Sequence, residues 1–280
     1  MKELTQNISV APDAAINATL VTTQGANANA ASVAVANKAC TSGSHDCTVL
    51  QTGTNCSNFA NTTTTSENLR AVLYDVLRRF FYVEPCRDLL TACRSNKLFV
   101  QLAEANNFMI SHGAQLIESY FASNNPLKND DDLKRLRWDF TQLFIGLNSP
   151  AAPPWASFYL EKDRLLFSNT TLFIRTLLNK YGFIAGERIN AQADDHIGIE
   201  LDFLYQTSKR HISELDIALL KDQAELIGKH MLHFVPQFKN LVEKNAITEF
   251  FSGAANILEG YLAVDHEVIN NELKMRGDIA

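Results

Sequence analysis

Acids and a histidine alternate with apolar residues in Ala193-Asp194-Asp195-His196-Ile197-Gly198-Ile199-Glu200-Leu201-Asp202-Phe203, too regularly for a plain surface or a plain core. Aspartate favours a helix start, and Ile197, Leu201, Leu204 and Tyr205 then repeat at helical spacing. The spacing predicts a helix whose first turn holds Asp195 and His196. There the free amides and the positive end of the helix dipole could hold an anion, or a carboxylate could fold back and cap them. His196 and Glu200 are four residues apart and share a face, the arrangement of a metal-ligand pair or of a proton exchange. No second histidine or cysteine lies within a turn to complete a coordination sphere, so a charge-assisted pair between the two is the favoured reading. Asp195 has the chemistry of a general base. Yet no serine or cysteine nucleophile, glycine-rich phosphate loop or carboxylate pair accompanies it, so the chain is not read as an enzyme.

Two further stretches carry large side chains at element boundaries. Asn148-Ser149-Pro150-Ala151-Ala152-Pro153-Pro154 is a loop, since consecutive prolines exclude helix, and Trp155, Phe158 and Tyr159 follow it directly. Rigid amphipathic rings beside a helix junction are what peptide-binding grooves use. Chemistry alone favours the plainer reading, in which the rings plug the junction between two halves of a bundle. In His230-Met231-Leu232-His233-Phe234-Val235-Pro236-Gln237-Phe238 the proline is expected to break a helix, leaving the histidines to cap its C-terminus. A place at the edge of a groove is the second reading of that stretch.

The elements that position these residues follow from apolar periodicity. A helix from Ser66 buries Leu69, Val72, Leu73, Val76, Leu77, Phe80 and Phe81 at i, i+3, i+4 and i+7 spacing, with Ser66 as its cap. Pro85 starts a short helix through Leu89 and Leu90. Others are expected at about 111–123, from Asp130 to Gly146, at 169–181, 194–208, 213–234 and 246–271. No alternating stretch is long enough for a sheet, which makes the fold class all-α, a single bundle of roughly eight or nine helices in two halves joined by a hinge. Residues 1–65 are rich in Ala, Asn, Thr, Ser and Gly and too poor in bulky apolar side chains to offset ordering entropy, so they are expected to be a disordered tail before a helical domain spanning 66–280.

Composition narrows the function classes. The formal charge of −6 comes without a basic stripe that could track phosphates, which argues against nucleic acid and leaves a cationic peptide as a plausible partner. No run nears the roughly 20 apolar residues of a membrane span, and the N-terminus lacks a secretory apolar core, so the expected location is the cytoplasm. Five cysteines, Cys40, Cys47, Cys56, Cys86 and Cys93, make an odd count at spacings that match no zinc site and are read as free thiols. No metal and no cofactor is expected.

The chain resembles the TorD/DmsD family of redox-enzyme maturation proteins, all-helical cytoplasmic chaperones. The resemblance rests on Trp138-Asp139-Phe140-Thr141-Gln142-Leu143-Phe144-Ile145-Gly146, Pro153-Pro154-Trp155-Ala156-Ser157-Phe158-Tyr159, Asp195-His196-Ile197-Gly198, and His230 with Pro236 and Phe238, in the family's order. Gln192-Ala193 stand where the family has Glu-Pro. The resemblance implies binding of the twin-arginine signal peptide and apoprotein of a molybdopterin-dependent reductase, which is held in the cytoplasm until its cofactor is inserted. By position, Pro154, Trp155 and Tyr159 match the family's aromatic peptide-binding loop, and Asp195 and His196 its acidic-histidine hinge. Asp195, Glu200 and Asp202 are expected to meet the arginines while the rings bury the apolar stretch. The rival readings are a nucleotide hydrolase, since some family members bind guanine nucleotide weakly, and a plain helical adaptor. Either a monomer or a domain-swapped dimer fits a hinged bundle.

Overall fold

The periodic apolar stretches become helices. In the computed structural model the described residues are 66–146, 149–162, 169–183, 193–214 and 216–277. All of them belong to the unit Cys47–Ala280; the other unit, Met1–Asp46, lies outside them, as do the expected tail and its cysteines Cys40, Cys47 and Cys56. The helices are α1 (Ser66–Tyr82), α2 (Arg87–Ser95), α3 (Leu98–Ala103), α4 (Phe108–Ser123), α5 (Asp130–Phe140, prolonged by a π turn, Thr141–Ile145), α6 (Ala156–Leu160), α7 (Asn169–Lys180), α8 (Ile197–Glu214), α9 (Ile217–Glu225), α10 (Leu232–Asn245) and α11 (Glu249–Met275). Among the described residues there is no strand, only the isolated bridge of Trp155 with His196, so the class is all-α as expected. The eleven α-helical segments exceed the expected number partly because α3 and α6, of six and five residues, are too short to show an apolar period.

Several boundaries differ for local reasons. Pro85 is not the first residue of α2; Cys86 is the extended N-cap, and the Pro85 carbonyl instead accepts from Arg137 Nε at 2.9 Å. Helix α4 begins at Phe108 because Asn107 accepts from the amides of Met109 and Ile110. The larger departure is at His230–Phe238, where no helix ends. A π segment, Leu226–Met231, joins α9 to α10, and Pro236 lies inside α10. The ladder is already irregular within two turns of the proline, which follows the π segment by five residues.

Helices distant in sequence pair off: α11 packs along α4, and α8 packs along α1. At the first crossing a Cβ on Gly113 would stand 2.5 Å from the Gly253 carbonyl oxygen, so the two backbones touch only because both residues are glycine. Phe80, Phe81, Phe144, Phe238, Phe250 and Phe251 meet edge to face in the buried centre. One polar network crosses this core. Arg70 of α1 donates to Asp265 of α11 through Nε at 2.7 Å, and to Gln223 of α9 at 2.7 Å; Tyr74 donates to the same aspartate at 2.5 Å. Asp139, the acid between Trp138 and Phe140, is buried and accepts from the amides of Ile247 and Thr248 and from the Thr248 hydroxyl, which ties the end of α5 to the start of α11.

Candidate functional site

The proline loop and the start of α8 run antiparallel for one pair of residues. With two prolines in sequence the loop has few amides to give and instead offers carbonyls: Pro154 accepts from Ile197 N at 2.8 Å and Pro153 from the Tyr159 hydroxyl at 2.8 Å. In return Asp195 serves the loop. Its carbonyl accepts from Ala156 N at 3.0 Å and its carboxylate from Ser157 N at 2.8 Å, both at the start of α6, while the second carboxylate oxygen accepts from the Thr171 hydroxyl of α7 at 2.9 Å. Asp195 is wholly buried, and bonds to an ionised carboxylate are worth about 1.5–3 kcal/mol each, so it fastens α6 and α7 to α8. Asp194 beside it pairs with Arg175 of α7 at 2.6 Å.

Asp195 and His196 lie in the turn before α8 rather than in its first helical turn. That displacement undoes the expected His196–Glu200 pair, because His196 is not on the helix and its Nδ1 accepts from Gly198 N at 3.0 Å. Burial holds the His196 ring neutral, with its pKa lowered to about 3, and the Tyr82 and Trp155 rings meet it edge to face at 5.0 and 5.9 Å. Gly198 is required for this approach, since a Cβ there would stand 2.5 Å from that of Tyr82. Glu200 pairs with a different histidine: its Oε1 lies 2.8 Å from His230 Nε2. His230 is therefore neither a helix cap nor a surface group. It is buried in the π segment, with Phe234 at 5.5 Å and Phe173 of α7 at 5.6 Å from its ring.

Glu200 Oε1 and His230 Nε2 are close enough for one proton to bridge them. Burial pushes the Glu200 carboxyl above its ordinary range. Burial opposes charge on His230 as well, but the adjoining Glu200 outweighs it and raises the imidazole above 6.5. Glu200 Oε2, Ser157 Oγ and the Trp155 indole Nε1 are all buried without a hydrogen-bond partner. Three such atoms at one junction are unusual, since buried polar groups are nearly always matched.

The structure thus brings together Pro154, Trp155, Tyr159, Asp195, His196 and Glu200. Asp202 faces elsewhere, toward Arg78 of α1 at 3.3 Å, with Arg78 also bonded to Asp75. Tyr159 stacks on Phe234 at 6.0 Å, so α6 reaches α10 as well. Among the described residues no three metal-ligating side chains converge. Gln192 of the Gln192-Ala193 departure lies outside the described residues; Ala193 is buried. Residues the spacing did not single out are Thr171, Arg175, Phe173 and Tyr82. Thr170-Thr171 in the first turn of α7 was the one visible signal, a polar pair just where a helix buries its stripe.

The family model described as nitrate reductase delta subunit matches residues 102–240, which contain this junction apart from Tyr82. The chain is 30% identical over 165 residues to the chaperone protein TorD of Aliivibrio salmonicida, covering 56% of this chain and 74% of that one. It is 27% identical over 154 residues to the chaperone protein TorD of Photobacterium profundum, covering 53% and 71%. A crystal structure described as a redox enzyme maturation protein from Archaeoglobus fulgidus covers 72% of this chain and 99% of its own at 19% identity; its TM-score of 0.42 is too low to bear on the fold or the function. The residues matched by the family model include the proline loop, the Asp195-His196 turn and His230. The chain belongs to the TorD/DmsD family of redox-enzyme maturation proteins, which are chaperones and not enzymes.

Proposed function

We propose that this chaperone works in the cytoplasm, where it binds the twin-arginine signal peptide and the apoprotein of a molybdopterin-dependent reductase and holds the precursor until its cofactor is inserted. The observation that carries the reading is the junction itself, where aromatic rings from a rigid proline loop adjoin buried polar atoms without partners. An extended peptide has what such atoms lack. Its carbonyls accept from an indole N–H, its arginines donate to a carboxylate, and its apolar stretch suits rings such as Trp155 and the exposed Leu172 and Phe173 of α7. No helix among the described residues is long and apolar enough to cross a membrane.

Within this reading the residues divide their work. Pro154 and Tyr159 stiffen the loop, Asp195 and His196 fasten it to α8, and Trp155 and Glu200 meet the peptide. Asp202 adds negative potential from the side of Arg78 rather than direct contact. Both Asp195 carboxylate oxygens are occupied, so its replacement should weaken every peptide alike, whereas replacement of Glu200 should weaken a twin-arginine peptide more than a twin-lysine one. Calorimetry with both peptides on D195N and E200Q distinguishes the roles. A selective loss at Asp195 and none at Glu200 would reverse the assignment. Recovery of a reductase precursor that still carries its signal peptide, on wild-type protein but not on W155A, tests the wider reading; equal recovery on both would contradict it.

A further inference from the structure

Glu200 is half used. One carboxylate oxygen is bonded to His230, the other has no partner, and the side chain has no exposed surface. A guanidinium presents two parallel N–H groups and needs both oxygens of a carboxylate, so it could seat fully on Glu200 only if His230 let go. The pair lies one side chain below the surface: Phe173, 38% exposed, packs its ring on the imidazole.

We propose, resting on the reading of the junction as a peptide site, that Glu200 is the carboxylate that takes an arginine of the bound peptide, that the guanidinium replaces His230, and that binding releases the proton shared by the pair. The balance is simple. Before binding, one proton sits between Glu200 and His230; afterwards the carboxylate is ionised against a guanidinium that keeps all its protons, the imidazole is neutral, and one proton has left for solvent. The count is the same whichever atom carried the proton at the start.

The other charged groups around the pair are engaged with partners of their own. In the turn before α8, Asp195 is bonded to Ser157 and Thr171, and His196 is held neutral. From α7, Arg175 is held by Asp194; from α6, Tyr159 donates to Pro153. From α1, Arg78 lies between Asp75 and Asp202, and Tyr82 edges against His196. In the π segment Lys229 is exposed and pairs with Glu225, and on α11 His266 stands over Gly228 and bonds to Asn270. The Asp195 charge acts on both members of the pair toward keeping its proton until a cation arrives, and burial adds to it at Glu200.

The test is calorimetric titration of the whole chain at about pH 7 with a synthetic peptide bearing an Arg-Arg pair followed by an apolar stretch, in phosphate and in Tris. The difference in heat between the buffers gives the protons released. Wild-type protein should release up to about one proton per peptide, H230Q should bind with none released, and E200Q should bind about tenfold more weakly or worse, again with none released. Heats that do not depend on the buffer for wild-type protein, or full affinity in E200Q, would overturn the proposal while leaving the peptide site standing. Failure of the wild-type chain to bind the peptide at all would remove the site and this inference together. The wild-type measurement decides the proton release even if a variant does not fold.

Discussion

Two buried polar clusters in this bundle make opposite use of their charges. Around Asp265, Arg70 and Tyr74 close on the carboxylate and Gln223 accepts from Arg70 Nη2, leaving one amide nitrogen over. Around Glu200, an indole nitrogen, a hydroxyl and a carboxylate oxygen are left over within one junction. The first cluster joins three helices that the fold must hold together; the second lies where the proline loop, the turn before α8 and the π segment meet. The difference teaches that burial alone does not mark a site. A buried charge whose bonds are complete is there for the fold, and a buried charge whose bonds are incomplete awaits a partner.

The comparison can be broken most forcefully at Asp265. Asp265→Ala leaves Arg70 and Tyr74 without their acceptor and should cost about 3–5 kcal/mol in urea unfolding, with no effect on peptide affinity of the folded fraction. Asp195→Ala comes next. It removes two bonds to a buried carboxylate, so a loss of about 2–4 kcal/mol is expected, together with uniform weakening of peptide binding. A loss of affinity in the Asp265 variant equal to that in the Asp195 variant would erase the distinction between the clusters.

Acidity sharpens the comparison further. His230 has a raised folded pKa, so its contribution is complete below 6.5 and is lost as pH rises through that raised value; ionisation of buried Glu200 acts in the same sense. His196 has a lowered one, so stability falls as pH drops from 6.5 toward about 3, where the unfolded chain binds a proton that the folded one refuses. Melting temperature across pH should therefore decline on the alkaline side in wild-type protein and decline less in H230Q; an identical alkaline limb in both would contradict the pairing. The smallest effect on stability is expected from Trp155→Phe. The ring is largely kept and an unsatisfied donor is removed, so unfolding free energy should change by less than about 1 kcal/mol, while peptide affinity falls severalfold for want of the indole N–H.

The apolar stripes made the helices legible, because Leu73, Val76, Leu77, Phe80 and Phe81 bury whatever the tertiary detail. The order of the Trp155 loop, the Asp195-His196 turn and His230 was legible too, and the structure joins all three. Partner choice was not. Four-residue spacing pointed Glu200 at His196, but one turn of displacement at the helix start gave it His230, thirty residues on. Pro236 read as a helix end because local rules price a proline in a regular ladder, and the ladder before it is a π segment that no local signal revealed. Asp195 read as an acid in the first turn of a helix; its burial depends on α6 and α7 arriving from elsewhere in the chain.

The two tryptophans permit the most direct test of the junction as the peptide site, since Trp155 lies within it and Trp138, 54% exposed, lies outside on α5. W138F leaves Trp155 as the single fluorophore, and W155F leaves Trp138. Titration with the twin-arginine peptide should shift the emission of W138F saturably, at the affinity of the wild-type chain, and leave that of W155F flat. A saturable shift in W155F with none in W138F would contradict the account and move the site to the other face.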